Sequence, residues 1–440
     1  MSAIFHRHLK ANYPTIQTGD GAYLIDTTGK RYLDASGGAA VSCLGHNNKA
    51  VQQAIEEQIH KIAFAHSGFF TNEPAEELAE YLVSKAPKGL SHVYYLCGGS
   101  EANEAAMKIA RQYHYEAGRA EKTQYISRKQ SYHGNTLGAL SLGGNVQRRV
   151  PFNEILNDNI HFINPCYAYR YQNDDESEAE YGIRAAKELE DKILEIGSEK
   201  VAAFFAETIV GATLGCVPAA HSYFKEIRRI CSQYDILLIL DEVMCGMGRS
   251  GYRYACEYED ISPDILTSAK GLGGGYQPIG MMMVSQDIYD VIYKGSGFFQ
   301  HGHTYISHAS ATAAALAVQK EIDNQGLLKK IRDNETLFKQ GLENLAQKYE
   351  TIGDIRGRGY FWGIEFVASR ATKQPFTKED NIAGKLKNAG MNEGLIFYPG
   401  NGTADGNLGD HLLLAPPFIY KEQQFDELFT KLDKIFASIF

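Results

Sequence analysis

Five short strand-like runs, each breaking off into glycine or polar residues, constrain this chain more than any other feature. They are residues 93–97 (Val-Tyr-Tyr-Leu-Cys), 123–127 (Thr-Gln-Tyr-Ile-Ser), 201–205 (Val-Ala-Ala-Phe-Phe), 236–240 (Ile-Leu-Leu-Ile-Leu) and 263–268 (Pro-Asp-Ile-Leu-Thr-Ser). Helical texture alternates with them. Short apolar runs without polar alternation belong to strands buried on both faces, so the expected fold class is α/β with a mostly parallel central sheet. Ligands of such sheets gather at the carboxyl ends of the strands. Those ends carry Gly98, Gly99 and Ser100, then Glu207, then Asp241 and Glu242, then Lys270.

The flanks have a different texture. Residues 22–26 and 31–34, separated by Thr-Thr-Gly-Lys, predict an antiparallel hairpin. Apolar spacing predicts helices over 50–63 and 73–84, and one long helical stretch over 311–349. A helix near 381–393 and strands near 395–398 and 411–414 then form an α+β tail. The expected division is residues 1–50 as the first part of a small domain, 51–315 as a large domain, and 316–440 as the rest of the small domain. The polar stretch 171–180 is expected to be an exposed insertion.

Composition narrows the function classes. Hydrophobic residues make up 44% and charged residues 22%, the balance of a folded globular protein. A net charge of −9 is opposite to that of a typical nucleic-acid binder, so no nucleic-acid partner is expected. No apolar run approaches the roughly 18 residues of a membrane span, and the first residues lack the apolar core of a secretory signal. The seven cysteines contain no C-x-x-C pair. A cytoplasmic protein without a membrane partner is the expectation.

Asp241 follows five apolar residues, where a carboxylate is costly to desolvate without a partner. Lys270 lies 270 − 241 = 29 residues later, a separation that suits adjacent parallel strands and their crossover. The two could pair with each other, or hold one ligand between them, the amine covalently and the carboxylate through a ring nitrogen. Residues 98–104 (Gly-Gly-Ser-Glu-Ala-Asn-Glu) form a strand-to-helix junction fit for a phosphate, although a helix cap through Ser100 would use the same residues. An NTPase is excluded because G-x-x-x-x-G-K-[ST] does not occur. The G-x-G-x-x-G match at 246–251 lacks a convincing following helix, and His301, His303 and His308 lack the companions of a metal site, so none is expected.

Five blocks in one order carry a resemblance: Gly98-Gly-Ser-Glu-Ala-Asn-Glu-Ala, Ser131-Tyr-His-Gly-Asn-Thr136, Leu240-Asp-Glu-Val-Met-Cys-Gly-Met-Gly-Arg-Ser-Gly251, Ser268-Ala-Lys-Gly-Leu-Gly-Gly-Gly275 and Gly302-His-Thr-Tyr305. Together they resemble the class III, or omega, pyridoxal-phosphate-dependent aminotransferases, over nearly the whole chain. The resemblance implies the fold-type-I architecture, pyridoxal 5′-phosphate as cofactor, and Lys270 as the Schiff-base lysine and proton carrier. It implies that Asp241 holds the pyridine nitrogen, Tyr132 and Val243 cover the two ring faces, and Gly99 and Ser100 hold phosphate. His133 and Glu207 would complete the cofactor shell. Thr304 would reach the phosphate of a neighbouring subunit, which requires a homodimer. Thr208 stands where the family commonly has proline, and Gly98 where many relatives have serine.

The implied reaction is ping-pong transfer of an amino group from an amine, diamine or omega-amino acid to a 2-oxo acid, pyruvate or 2-oxoglutarate. An aminomutase or decarboxylase on the same scaffold is the alternative, and a non-catalytic binding protein the rival from another class. No arginine stands in residues 409–418, where many relatives bind a carboxylate. His411, Arg356, Arg358 or a partner residue are the expected substitutes. Ala40 is expected to widen the donor pocket by replacing a bulkier wall residue.

Overall fold

The computed structural model describes residues 2–440. Its central sheet has seven strands: β1 (Leu90–Leu96), β2 (Gln124–Arg128), β3 (Ile160–Ile163), β4 (Val201–Glu207), β5 (Leu237–Asp241), β6 (Ile265–Ser268) and β7 (Gly280–Ser285). Their spatial order is β1-β7-β6-β5-β4-β2-β3. Every pairing from β6 through β5, β4 and β2 to β3 is parallel, while β7 runs antiparallel to both β6 and β1. The expected mostly parallel sheet is present, and so is the adjacency of the strands that end at Asp241 and just before Lys270.

Both faces of the sheet are covered, which is why its central strands read as unbroken apolar runs. Phe204, Ala206, Leu238 and Leu240 join a core with Leu189 and Ile193 of helix Glu178–Ile196 and Ile227 of helix Tyr223–Gln233. The intervening Ala203, Phe205, Leu237 and Ile239 pack on the other side, with Ala102, Ala106 and Ile109 of helix Gly99–Glu116. Alternation along each strand thus divides one apolar run between two cores.

Strands β3 and β7 lie outside the five expected. β7 begins on Gly280, whose backbone lies against the segment just after β1: a Cβ there would come within 2.5 Å of the Gly98 carbonyl oxygen. Close approach, not strand propensity, selected that residue.

The predicted hairpin forms from Tyr23–Asp26 and Arg31–Asp34, with Ile16–Asp20 as an additional strand. Strand Arg31–Asp34 pairs in parallel with Leu395–Ile396, which ties the two ends of the chain into one sheet. A second sheet, from Ile352–Arg358, Phe361–Phe366, Asp410–Leu414 and Tyr398–Asn401, shares a core with helices Leu327–Lys348 and Glu422–Ala437. Phe338, Tyr360 and Phe425 meet edge to face in that core.

The helical stretch over 311–349 is two helices, Ala309–Asn324 and Leu327–Lys348. Gly326 breaks it at φ +62°, a left-handed conformation open to glycine, while apolar residues of both helices face the core. The segment 171–180 is largely exposed, and helix Glu178–Ile196 begins within it, where Ser177 and Glu180 form a reciprocal capping box. The glycines at 246–251 lie in turns and a bend followed only by the short 3-10 helix Ala255–Glu257, so the α-helix of a dinucleotide site is lacking.

Candidate active site

Strand register builds the polar floor of the site. Asp241 pairs with Glu207 of β4 on one side and Thr267 of β6 on the other. Paired residues of neighbouring strands share a face, so these three side chains form a row facing helix Gly99–Glu116. Asn103 of that helix meets the row. Its Nδ2 donates to Asp241 Oδ2 at 2.7 Å and to the His133 carbonyl at 2.7 Å, and its Oδ1 accepts from Thr267 Oγ1 at 2.7 Å. A flipped amide would set its oxygen against two acceptors, so the network allows one orientation.

Two further donors reach Asp241. His133 Nδ1 lies 2.9 Å from Oδ2, and the Val243 amide donates to Oδ1 at 2.9 Å. The other nitrogen of His133 lies 3.3 Å from Ser127 Oγ. Glu242 is used elsewhere: it accepts from the amides of Ala255 and Cys256 and from Thr208 Oγ1, and burial pushes its pKa up to about 7. Of the acidic pair, Asp241 alone lines the cavity.

Lys270 follows β6 with its backbone at φ +42°, a region that residues with a side chain seldom occupy. Strain of this kind, about 1–3 kcal/mol, persists where surrounding structure holds it, and often at functional sites. The side chain lines the same cavity as Asp241 and is half-buried, open to solvent through that cavity. Burial lowers its pKa below the usual lysine range, and the carboxylates of Asp241 and Glu207 oppose that shift without cancelling it. Lys270 and Asp241 form no ion pair within 4 Å, whereas the His133 ring lies 2.9 Å from the Asp241 carboxylate. Of the two sequence-level alternatives, facing each other across a shared space is what the geometry presents.

That space has an empty volume of about 660 Å³, counting its mouth. Gly99 and Ser100 line one side, in the first turn of an 18-residue helix whose leading amides have no intrahelical acceptors. Ser100 is not the helix cap: Gly98 occupies that position, and Ser100 Oγ accepts from the Asn135 amide at 3.1 Å. A Cβ on Gly99 would come within 2.6 Å of Val243 Cγ1, so the missing side chain is what allows this approach. Tyr132 and Val243 are both walls of the cavity. Glu207 also lines it, accepting from the Gly211 amide at 3.1 Å and the Tyr132 amide at 3.4 Å, with burial raising its pKa.

An amine with a lowered pKa, a carboxylate held by three donors and a helix amino terminus therefore border one cavity. These groups suit pyridoxal 5′-phosphate, with the amine for its aldehyde, the carboxylate for its ring nitrogen and the helix end for its phosphate.

Thr304 is exposed and does not line this cavity. Ala40 does not line it either; it is buried in a small core with Cys216, Cys245 and Ile209, the last of which does line the cavity. The expected carboxylate ligands are likewise elsewhere. His411 is fully buried, and burial pulls its pKa down to about 4, so it is neutral at pH 7. Arg356 spends its donors on Asp354, Glu365 and the carbonyls of Leu214 and Gly215. Arg358 stacks on Tyr258. The sequence reading gave no role to Asn103, Gly134, Ile209, Ala212 and Met244, which also line the cavity. Asn103 carried a signal, a carboxamide amid Ala102, Ala105 and Ala106 on a buried helix face.

A profile described as "Aminotransferase class-III" matches residues 5–436. An uncharacterised aminotransferase of Schizosaccharomyces pombe is 43% identical over 97% of this chain and 93% of its own length. Gamma aminobutyrate transaminase 3 of Solanum lycopersicum is 34% identical over 95% of this chain and 79% of its own. Among solved structures, the PMP-bound aminotransferase of Vibrio fluvialis superposes with a TM-score of 0.91 at 30% identity, covering 99% of this chain and 96% of that one. The chain belongs to the class III aminotransferases, fold-type-I enzymes that work with pyridoxal 5′-phosphate.

Proposed function

We propose that this aminotransferase moves an amino group from an amine, diamine or omega-amino acid to a 2-oxo acid, pyruvate or 2-oxoglutarate, in two alternating half-reactions. The observation that carries this reading is the cavity shared by Lys270 and Asp241, with the amino end of helix Gly99–Glu116 on its wall. The S. lycopersicum relative is named for an omega-amino acid donor, which supports that donor class here.

Bound pyridoxal phosphate supplies a carbonyl that exchanges amino groups and a ring that withdraws electrons. Nζ of Lys270 would hold the cofactor between turnovers and, once released, would take a proton from the substrate carbon and pass it to the cofactor, the shift that leaves the amino group there. Its lowered pKa suits both tasks. Asp241, held by Asn103, His133 and the Val243 amide, keeps the ring nitrogen protonated. Tyr132 and Val243 confine the ring, Gly99 and Ser100 hold the phosphate, and Glu207 and His133 complete the shell. Thr304, exposed in this protomer, serves the phosphate of a second protomer in a homodimer. All seven thiols are unpaired, the state maintained in a reducing cytoplasm.

A spectrophotometric donor screen tests the reading. A productive donor without a 2-oxo acid should convert one equivalent of cofactor to its amine form, and adding pyruvate or 2-oxoglutarate should sustain turnover. Sustained turnover of the donor alone would instead identify an aminomutase or decarboxylase, and no spectral response to any donor would refute catalysis.

A further inference from the structure

We propose that Arg148 is the guanidinium that receives the carboxylate of the substrate, a specificity-determining residue of this site. The inference rests on the amino-transfer reading for its substrate class, carboxylate-bearing donors and acceptors, but not for the binding it asserts. Arg148 lies over the ring of Tyr132 at 4.6 Å from the centroid, and Tyr132 is a wall of the cavity that holds Lys270.

Its neighbours show how it is presented. The short helix Val146–Arg149 is capped by Asn145, whose side chain accepts from the Arg148 amide at 3.2 Å. Arg149 fastens the segment: its Nη1 donates to the carbonyls of Leu140, Ser141 and Gly143 at 3.1, 2.6 and 2.9 Å. Gln147 donates to the Asn407 carbonyl at 3.5 Å. Arg148 is half-buried, and its guanidinium makes no hydrogen bond or ion pair among the described residues. Of two adjacent arginines, one is consumed by main-chain carbonyls and the other keeps its planar fork of donors free over the ring of a cavity-wall residue.

Three buried arginines do not serve. Arg356 is spent on Glu365, Asp354 and two carbonyls, Arg249 is buried beneath Phe418, and Arg128 donates to the Glu207 carbonyl. Arg7, whose charge also lowers the pKa of the Tyr132 hydroxyl against the larger effect of burial, is exposed. Stacking on an aromatic ring leaves the guanidinium edge available for a bidentate carboxylate and limits the freedom it would lose on binding.

The test titrates butanoate, a carboxylate without an amino group, into the holoenzyme and reads its dissociation constant calorimetrically. In parallel, kcat/KM for 4-aminobutanoate is divided by that for butan-1-amine. A charge-assisted contact of this kind should make R148Q about 10- to 150-fold weaker for butanoate and lower the kinetic ratio in the same direction. R148K, which keeps the charge without the fork, should fall between wild type and R148Q and supplies a second variant if R148Q fails to fold. Equal butanoate affinity in wild type and variants, or no binding to wild type, overturns the assignment. A protein that binds butanoate through Arg148 yet transfers no amino group refutes the amino-transfer reading and leaves this one standing.

Discussion

Replacing Asn103 with leucine tests whether the floor of the site works as a network. The substitution keeps most of the side-chain volume and removes one of three donors to Asp241, together with the partners of the Thr267 hydroxyl and the His133 carbonyl. A hydrogen bond to a charged group contributes about 1.5–3 kcal/mol, which corresponds to a factor of about 10–150 at 1.36 kcal/mol per decade. If Asp241 holds the ring nitrogen, single-turnover rates of the donor half-reaction should fall by that factor. Thr267→Val acts only through Asn103, by releasing the amide oxygen, so a neutral bond's worth of about 0.5–1.5 kcal/mol is expected, roughly 2- to 13-fold. In the Asn103→Leu background Thr267→Val should add nothing, since its partner is already gone. An Asn103→Leu rate within twofold of wild type, or full additivity of the two effects, would refute the positioning argument.

Two other outcomes can be checked directly. Because burial lowers the pKa of Lys270, its amine becomes neutral and reactive at lower pH than free lysine. The rate at which apoenzyme captures pyridoxal phosphate should therefore rise with pH and level off with a midpoint below 10.5; a midpoint at or above that value contradicts the assigned environment. Gly99→Ala would drive a Cβ to within 2.6 Å of Val243, forcing that residue to move at a cost of about 1–3 kcal/mol. The cofactor dissociation constant, measured by fluorescence quenching, should rise about 5- to 150-fold, and an unchanged value would show that the two walls are not in register.

Much of the site was legible in sequence because its chemistry lies at strand ends. An apolar strand that stops at a carboxylate or just before a lysine places that group at the ligand-binding edge, and this holds for Asp241 and Lys270 whatever the rest of the chain does. The row of Glu207, Asp241 and Thr267 is different in kind. It exists because three separate strands align at one register, and register is a property of their packing against helices on both faces.

By itself the sequence determined the α/β class, the terminal hairpin and the placing of Asp241 and Lys270 at strand ends, since those follow from local patterning and from the cost of placing charge beside apolar strands. Only the tertiary structure decided which polar groups are free. Arg356 and His411 had the right chemistry for a substrate carboxylate, yet the fold buries one among carbonyls and acids and strips the other of its charge. Arg148 and Arg149 are the same residue type side by side, and three carbonyls brought close by the chain's turn occupy one while leaving the other's guanidinium free. Whether a donor already has its acceptor depends on how the folded chain turns back on it, and residue type and spacing carry no record of that.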